Sequence, residues 1–238
     1  IMEIFIQDTG IQVNLNVNSS QTALDRLKNG FAHIAGCARQ LESSDRIAGF
    51  VEIPFCRDPL AIIVNRQCPI DNLSQRQIRD VFSGKTTNWK DLGGPDQSIL
   101  VVVPGETTAA RLNFTRQAMS GTSIRFDFET DQSTAAIQGV KYLSGAISFI
   151  AQGAIASEEA VQPIRVDGSS VRDADYPFFQ IFSLVTRGMP SGPVRRTINY
   201  ALSDKGRQII RNKGMHPAIE WVQLEAGSET PIEYRHVP

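Results

Sequence analysis

Residues 99–108 read ILVVVPGETT, an apolar run that ends in a hydroxyl-rich turn. Five consecutive apolar residues followed by turn residues predict a buried strand. The segment after the turn carries Leu112, Phe114 and Met119, and it predicts a helix that begins at the hydroxyl-rich turn. A strand that passes directly into a helix is the repeating unit of α/β proteins.

The same alternation continues on both sides of this stretch. Further strands are predicted at residues 11–17, 31–37, 60–64, 126–128, 146–150 and 178–186. Further helices are predicted around Leu24, Ser74, Ser133, Ile198 and Ser203. Strands that alternate with helices predict an α/β architecture with mostly parallel sheets.

The composition narrows the classes of function. Of 238 residues, 41% are hydrophobic and 21% are charged, which is typical of a globular protein. Because the 24 basic and 25 acidic residues nearly cancel, the chain lacks the positive field that nucleic acid would require, and no nucleic-acid partner is expected. No apolar run reaches the roughly 18 residues that a membrane-spanning helix needs.

The three cysteines, Cys37, Cys56 and Cys68, cannot all pair within one chain. If residues 57–65 form a single strand, Cys56 and Cys68 lie about 30 Å apart, at ~3.3 Å per residue. A disulfide requires Cα atoms within about 7 Å of each other, so this pair is not expected to be bridged.

Two proline-marked segments divide the chain into an outer and a middle part. They are Arg57-Asp58-Pro59 and Asp175-Tyr176-Pro177. The middle part, residues 66–177, has strands and helices of its own, so we expect one lobe inserted into another. Residues 1–65 and 178–238 then form lobe one, and a chain that crosses twice between lobes predicts a hinged design.

Three predicted helices begin at hydroxyl-rich turns that follow predicted strands. The turns contain Ser19 and Ser20, Thr107 and Thr108, and Ser133 with Thr134. A helix N-terminus offers unpaired amide protons and the positive end of the helix dipole, which suits a tetrahedral oxyanion. These residues are also favoured as simple helix N-caps. The carboxyl ends of strands in open α/β sheets are where ligands bind, which favours a shared site.

Two arginines are candidates for the charge of such a site. Arg39 follows the predicted strand 31–37, and Arg111 lies in the first turn after Thr107-Thr108. Arginine is unfavourable in a first helical turn, so Arg111 suggests a bound anion, and a guanidinium can form two hydrogen bonds with an oxyanion. The alternative for each is a solvated surface arginine.

Motifs of catalysis and metal binding are not found. Residues 83–86 read SGKT, like the end of a phosphate-binding P-loop, but Arg79 stands where that motif needs glycine and a helix precedes it. The three histidines are widely spaced, and the three cysteines lack a metal-ligand spacing. We therefore expect no catalytic residues, no metal site and no cofactor.

One segment resembles a known family. Residues 81–89 read VFSGKTTNW and are followed by Gly93-Gly94, which resembles the "FSGK-x-T-NW…GG" signature of PstS-like phosphate-binding proteins. Further similarity lies in residues 24–41, 145–149 and 176–206, so the resemblance covers about residues 3–218.

The resemblance implies a type II periplasmic-binding-protein-like fold, with two α/β lobes, two crossover segments and a ligand cleft between the lobes. It implies a substrate-binding component of an ABC transporter that binds phosphate or a similar oxyanion in the periplasm or outside the cell. An ABC permease would be its protein partner. The site would consist of Ser19, Ser20, Arg39, Thr107, Thr108 and Arg111.

The chain departs from the family pattern in two places. The family's "S-G-T-R" loop aligns with residues 108–111, where Arg111 is retained but the glycine and one hydroxyl are lost. Residues 1–9 resemble the second half of the family's first helix, so the first strand of lobe one is expected to be missing from the chain. Three explanations stay open: the sequence is part of a longer chain, residues 220–234 replace that strand, or a partner chain completes the sheet.

These departures favour an alternative function, a sensor or protein-interaction module on the same fold with a degenerate anion pocket. An enzyme is a third possibility, because hinged folds can host catalysis. The failed catalytic motifs argue against it.

Overall fold

The computed structural model describes residues 2–17, 19–39, 41–131, 133–155 and 161–218. Within these residues the α-helices are α1 (Met2–Thr9), α2 (Ser20–Lys28), α3 (Ser43–Ile47), α4 (Gln75–Phe82), α5 (Ala109–Ala118), α6 (Ser133–Tyr142), α7 (Gly192–Leu202) and α8 (Asp204–Asn212). The strands are β1 (Ala35–Cys37), β2 (Phe50–Asn65), β3 (Asn72–Leu73), β4 (Leu100–Pro104), β5 (Phe128–Thr130), β6 (Ala146–Ala151), β7 (Val161–Pro163), β8 (Arg165–Val166), β9 (Phe179–Arg187) and β10 (His216–Pro217). Short 3₁₀ helices cover Trp89–Leu92 and Gln152–Ala154.

Most strands belong to one sheet, in the order β1-β9-β2-β6-β4-β5, with β7 and β10 also paired to β2. The central strand β2 is antiparallel to all of its partners, whereas β4 is parallel to β5 and β6. The α/β class is confirmed, but the prediction of mostly parallel sheets is wrong. The reason is that β2 carries the chain from the smaller to the larger of two apolar cores, and β9 carries it back beside β2. Two neighbouring strands that run in opposite directions pair antiparallel.

Local sequence signals located several helices correctly. Ser74 begins α4 through a capping box, in which its hydroxyl accepts from the Gln77 amide and the Gln77 side chain accepts from the Ser74 amide. The residues Ile78, Val81 and Phe82 then lie on the buried face of α4, as their spacing predicts. The helix predicted around Leu24 is α2, and its buried residues are Leu24 and Leu27.

The strand predicted at residues 11–17 is wrong. This segment has no regular secondary structure, and Leu15 and Val17 are 68% and 90% exposed. Alternation stabilises a strand only when one face is buried and a neighbour supplies hydrogen bonds, and no strand of the described residues pairs with this segment. The strand predicted at 31–37 is also shorter, because only Ala35–Cys37 pair with β9.

The buried apolar residues form two separate clusters. The larger core lies between residues 60 and 178 and includes β4, β6 and the buried faces of α4, α5 and α6. The smaller core consists of Leu24, Leu27, Ala35, Cys37, Leu41, Phe50 and Val185. Strand β2 contributes Phe50 to the smaller core and residues 60–64 to the larger one. The lobe boundaries 1–65, 66–177 and 178–238 stay a prediction.

Residues 2–9 are helical, which agrees with the helix that the resemblance implied for residues 1–9. Helix α1 buries Phe5 completely, and its ring packs edge-on against Tyr200 of α7 at 5.2 Å between centroids. Strand β1 lies at one edge of the described sheet. The missing first strand and a partner chain that would replace it stay predictions, and residues 220–234 lie outside the described residues.

The three cysteines are buried and unbridged. Because β2 runs without interruption from Cys56 to Asn65, Cys56 is held far from Cys68, as the strand-length argument predicts. No helix in the described ranges has both the length and the apolar character needed to cross a bilayer.

Asp58 lies where β2 and β9 cross between the two cores, and it is only 2% exposed. Its carboxylate accepts from the Gly153 amide at 3.1 Å, and the Gln180 side chain lies 3.5 Å away. Burial raises the pKa of Asp58 from about 3.8 to about 6, and the hydrogen bonds from Gly153 and Gln180 only partly offset this. The folded protein therefore binds this proton more tightly than the unfolded chain does.

Asp58→Asn is expected to raise the free energy of unfolding near pH 7 by about 1–2 kcal/mol. The pKa shift corresponds to about 3 kcal/mol of lost stability at neutral pH, and a buried amide keeps part of that cost. Its new N–H group can also donate to Gln180 Oε1, which has no donor within the described part of the chain.

The stabilising effect of Asp58→Asn should depend on pH, because only the wild-type side chain titrates. The contribution of Asp58 to stability is greatest below pH 4 and is lost as pH rises through about 6. Urea denaturation of both proteins between about pH 4 and pH 8 should give curves that diverge as pH rises. A constant difference across this range would contradict the assignment.

Candidate functional site

The first predicted turn forms the N-terminus of α2. The Ser19 hydroxyl caps the helix by accepting from the Thr22 amide at 3.2 Å. The Ser20 hydroxyl accepts from the amide of Ala38, at 3.1 Å, in the loop that follows β1. The Ser19 hydroxyl also shares a hydrogen bond with the Thr22 hydroxyl at 3.0 Å, and the Ser20 hydroxyl hydrogen-bonds the Cys37 thiol.

Arg39 lies in the same loop, but its guanidinium is already engaged. It donates to Asp45 Oδ2 at 2.9 Å and to Gln21 Oε1 at 3.1 Å. Asp45 therefore neutralises much of the positive charge that the sequence analysis expected Arg39 to offer to an anion. The role of Arg39 as a ligand stays a prediction, and its structural contacts hold the loop against α2 and α3.

The second predicted turn, at residues 104–108, forms the N-terminus of α5. The Thr108 hydroxyl accepts from the Arg111 amide at 3.2 Å and donates to the Gly105 carbonyl at 2.8 Å. Thr107 lies beside it and is exposed. The sequence predicted this cap, and the cap aims the free amides of the first turn along the helix axis.

Arg111, in the first turn of α5, is a buried arginine, and one of its donors is unsatisfied in the described part of the chain. It is 8% exposed, and its Nη1 atom is buried without a hydrogen-bond partner among the residues that the structure describes. Its guanidinium lies 5.2 Å from the ring centroid of Phe126. Burial lowers the pKa of Arg111, and the carboxylates of Glu129 and Glu106 oppose this shift. A buried cationic donor without a partner is costly, so this arrangement favours an anionic ligand.

The structure brings the two helix ends together through a side chain that the sequence analysis did not single out. Asn113 of α5 is 8% exposed and donates to the Ala38 carbonyl at 3.2 Å. Since the Ala38 amide donates to the Ser20 hydroxyl, the N-terminus of α2 is connected to α5 through one residue, Ala38. This links α2 to α5, and the meeting of the Ser19-Ser20 turn with the Thr107-Thr108 turn in one site stays a prediction.

The third predicted turn lies next to the second. Strands β4 and β5 are parallel, so their carboxyl ends meet at one edge of the sheet. A Cβ atom added to Gly105 would lie 3.3 Å from the Thr130 carbonyl, which shows how closely the two turns approach. Helix α6 begins at Ser133, directly after this turn. The side chains of Ser133 and Thr134 lie outside what the structure describes.

Comparison with known proteins identifies the family. The model of the PBP superfamily domain matches residues 1–206. The chain belongs to the PBP superfamily. The resemblance to PstS-like proteins is also confirmed: the phosphate-binding protein PstS of Bacillus subtilis is 25% identical over 222 residues, which are 90% of this chain and 73% of that protein.

Solved structures of two other proteins share the fold of this chain. One is a protein from Clostridium perfringens assigned as a phosphate ABC transporter substrate-binding protein and solved with bound phosphate. It has a TM-score of 0.80 and 24% identity, over 90% of this chain and 91% of that one. An ABC-type phosphate transport receptor from Vibrio cholerae has a TM-score of 0.68 and 22% identity, over 90% and 92% of the two chains. These similarities confirm the type II periplasmic-binding-protein-like fold.

The sequence analysis of this PBP superfamily chain missed two polar residues on the buried side of α5, Asn113 and Gln117. Gln117 donates to the Phe179 carbonyl at 2.6 Å and accepts from the Phe179 amide at 2.8 Å. A signal was available, because Asn113 lies beside the apolar residues Ala110 and Phe114, and amides on such a face need partners. The described residues contain no group of histidine, cysteine and carboxylate side chains that could hold a metal ion.

Proposed function

We propose that this chain binds phosphate, or a similar tetrahedral oxyanion, as the extracytoplasmic substrate-binding component of an ABC transporter. The observation that carries the proposal is the buried Nη1 atom of Arg111, which lacks a hydrogen-bond partner in the described residues. An oxyanion beside the N-terminus of α5 supplies the missing acceptor.

Other groups of the two helix ends complete the site. Ser19 and Ser20 donate their hydroxyl protons to the anion by turning them away from the Thr22 hydroxyl and the Cys37 thiol, their present partners. Thr107 donates from the exposed start of the turn. Thr108 acts mainly through the helix, because its own proton is used by the Gly105 carbonyl. Arg39 adds a weaker field, since Asp45 shares its charge.

The relatives support the transport role. The matched proteins of Bacillus subtilis and Streptococcus agalactiae are named phosphate-binding proteins, and the matched Clostridium perfringens structure holds phosphate. Such proteins work with an ABC permease, so a permease in the membrane is the partner, and the periplasm or the cell exterior is the location. The chain performs no covalent chemistry in this role.

One alternative has a specific observation in its favour. Ala109 and Ala110 offer no side-chain donors in the first turn of α5, and Arg39 is paired with Asp45. A sensor or protein-interaction module with a weakened anion pocket would carry these features.

Isothermal titration of the protein near pH 7 with phosphate, and separately with sulfate, distinguishes these functions. We expect saturable heat with phosphate, a dissociation constant in the micromolar range or tighter, and a thermal midpoint that rises with phosphate concentration. Chloride at matched ionic strength is the control. No heat and no change of midpoint with either oxyanion would contradict the proposal and favour the interaction module.

A further inference from the structure

Two carboxamide side chains of α5, four residues apart, form hydrogen bonds with other parts of the chain. Asn113 and Gln117 lie on one face of the helix, because residues i and i+4 are neighbours on its surface. Asn113 reaches the Ala38 carbonyl, and Gln117 reaches both backbone groups of Phe179. The helix belongs to the larger core through Ala110, Phe114 and Ala118, so both contacts extend away from that core.

The two contacts differ in what they join. Phe179 is the first residue of β9, which crosses between the cores beside β2, so the Gln117 contact lies at the crossing itself. Ala38 directly follows β1, whose Ala35 and Cys37 belong to the smaller core. The Asn113 contact therefore joins the larger core to the smaller one, about 6 Å further along the helix, toward its N-terminus.

This geometry makes the Asn113 contact sensitive to rotation of one core against the other. A rotation about the crossing strands leaves groups at the crossing nearly in place and separates groups that lie further from it. Asn113 would then lose Ala38 and keep its intrahelical bond to the Ala109 carbonyl at 2.9 Å, so its amide would not be left without an acceptor. The contact can open and reform at low cost.

We propose that Asn113 holds the binding site closed through its hydrogen bond to Ala38, and so sets the rate at which the anion leaves. The inference rests on the proposed function where it concerns the anion, whereas the closing contact itself depends only on the structure. Asn113 does not contact the ligand in this role. It positions the Ser20 and Ala38 side of the site against the Thr108 and Arg111 side.

The test compares Asn113→Leu with Gln117→Leu in the full chain, with phosphate as the probe. For Asn113→Leu we expect the phosphate dissociation rate, measured from phosphorus NMR line shapes, to rise about five- to tenfold, the effect of one lost hydrogen bond. The association rate should stay within about twofold. For Gln117→Leu we expect a lower thermal midpoint and an unchanged dissociation rate.

Small-angle X-ray scattering without phosphate tests the closing contact separately. Asn113→Leu and Asn113→Asp are both expected to give a larger radius of gyration than the wild type and Gln117→Leu. Asn113→Asp keeps the size of the side chain but cannot donate to the Ala38 carbonyl, so it serves if the leucine variant fails to fold.

The outcomes separate the two proposals. If the wild type does not bind phosphate, the proposed function fails, and the scattering experiment still decides the role of Asn113. Unchanged dissociation and unchanged radius in the Asn113 variants would overturn the inference. So would equal changes in Gln117→Leu, because the effect would then belong to α5 packing in general.

Discussion

Arg111→Gln is expected to weaken phosphate binding by about 100- to 1000-fold, or about 2.7–4 kcal/mol. The substitution removes the one buried guanidinium whose Nη1 atom lacks a partner in the described residues. It also leaves Glu129 and Glu106 near the site without the cation on which they act, so their negative charge would repel the anion. Isothermal titration at fixed ionic strength measures the loss.

The same variant should not destabilise the anion-free protein. The guanidinium is buried without full compensation, so a shorter, neutral side chain should leave the free energy of unfolding unchanged or slightly higher. Arg76→Gln is the matched control, since the Arg76 side chain is 82% exposed on α4 and its loss should change neither quantity. Binding of Arg111→Gln within about fivefold of the wild type would contradict the assignment of Arg111 to the site.

Local patterns predicted those elements whose stability is local. The capping box at Ser74 and the apolar spacing of Ile78, Val81 and Phe82 lie within a few residues of each other, and α4 follows from them. Strand β4 similarly follows from its continuous apolar run, which is buried on both faces. These elements have the predicted type and nearly the predicted bounds.

Pairing between distant segments could not be predicted in this way. Residues 11–17 have the alternation of a strand but lack a described partner, so their pattern misled. For β2 the sequence predicted too little: it predicted a strand only at residues 60–64, whereas pairing with β9 and then β6 keeps residues 50–65 in one strand. Whether two strands pair parallel or antiparallel depends on how the chain connects them. A short stretch of sequence does not contain that information.

The candidate site shows the same division. The caps at Ser19 and Thr108 are local and were predicted, and the position of Arg111 in a first helical turn suggested an unusual environment. The pairing of Arg39 with Asp45 and the contact of Asn113 with Ala38, 75 residues apart, arise only when the chain is folded. The sequence therefore predicted an anion site, but it did not show that Arg39 is paired with Asp45 while Arg111 keeps a donor without a partner in the described residues.

The helix that carries Arg111 is anchored by Phe114. Its ring is fully buried and stacks on Phe149, with 3.9 Å between centroids and 10° between planes. It also meets Phe82 edge-on at 4.8 Å and Phe178 at 5.6 Å. Phe114 thus joins α5 to β6, to α4 and to the residue that precedes β9, and it fixes the height and rotation of the helix above the sheet.

Phe114→Ala is expected to lower the free energy of unfolding by about 3–5 kcal/mol. The loss combines the transfer energy of the ring, the cavity that it leaves among three aromatic neighbours, and the stacking with Phe149. Urea denaturation near pH 7 without phosphate measures it, and Leu112→Ala on the same helix is the control. Leu112 is 50% exposed, so its truncation should cost less than about 1 kcal/mol. Equal losses in the two variants would mean that α5 is held by its general helical propensity, and that the aromatic cluster does not set its position.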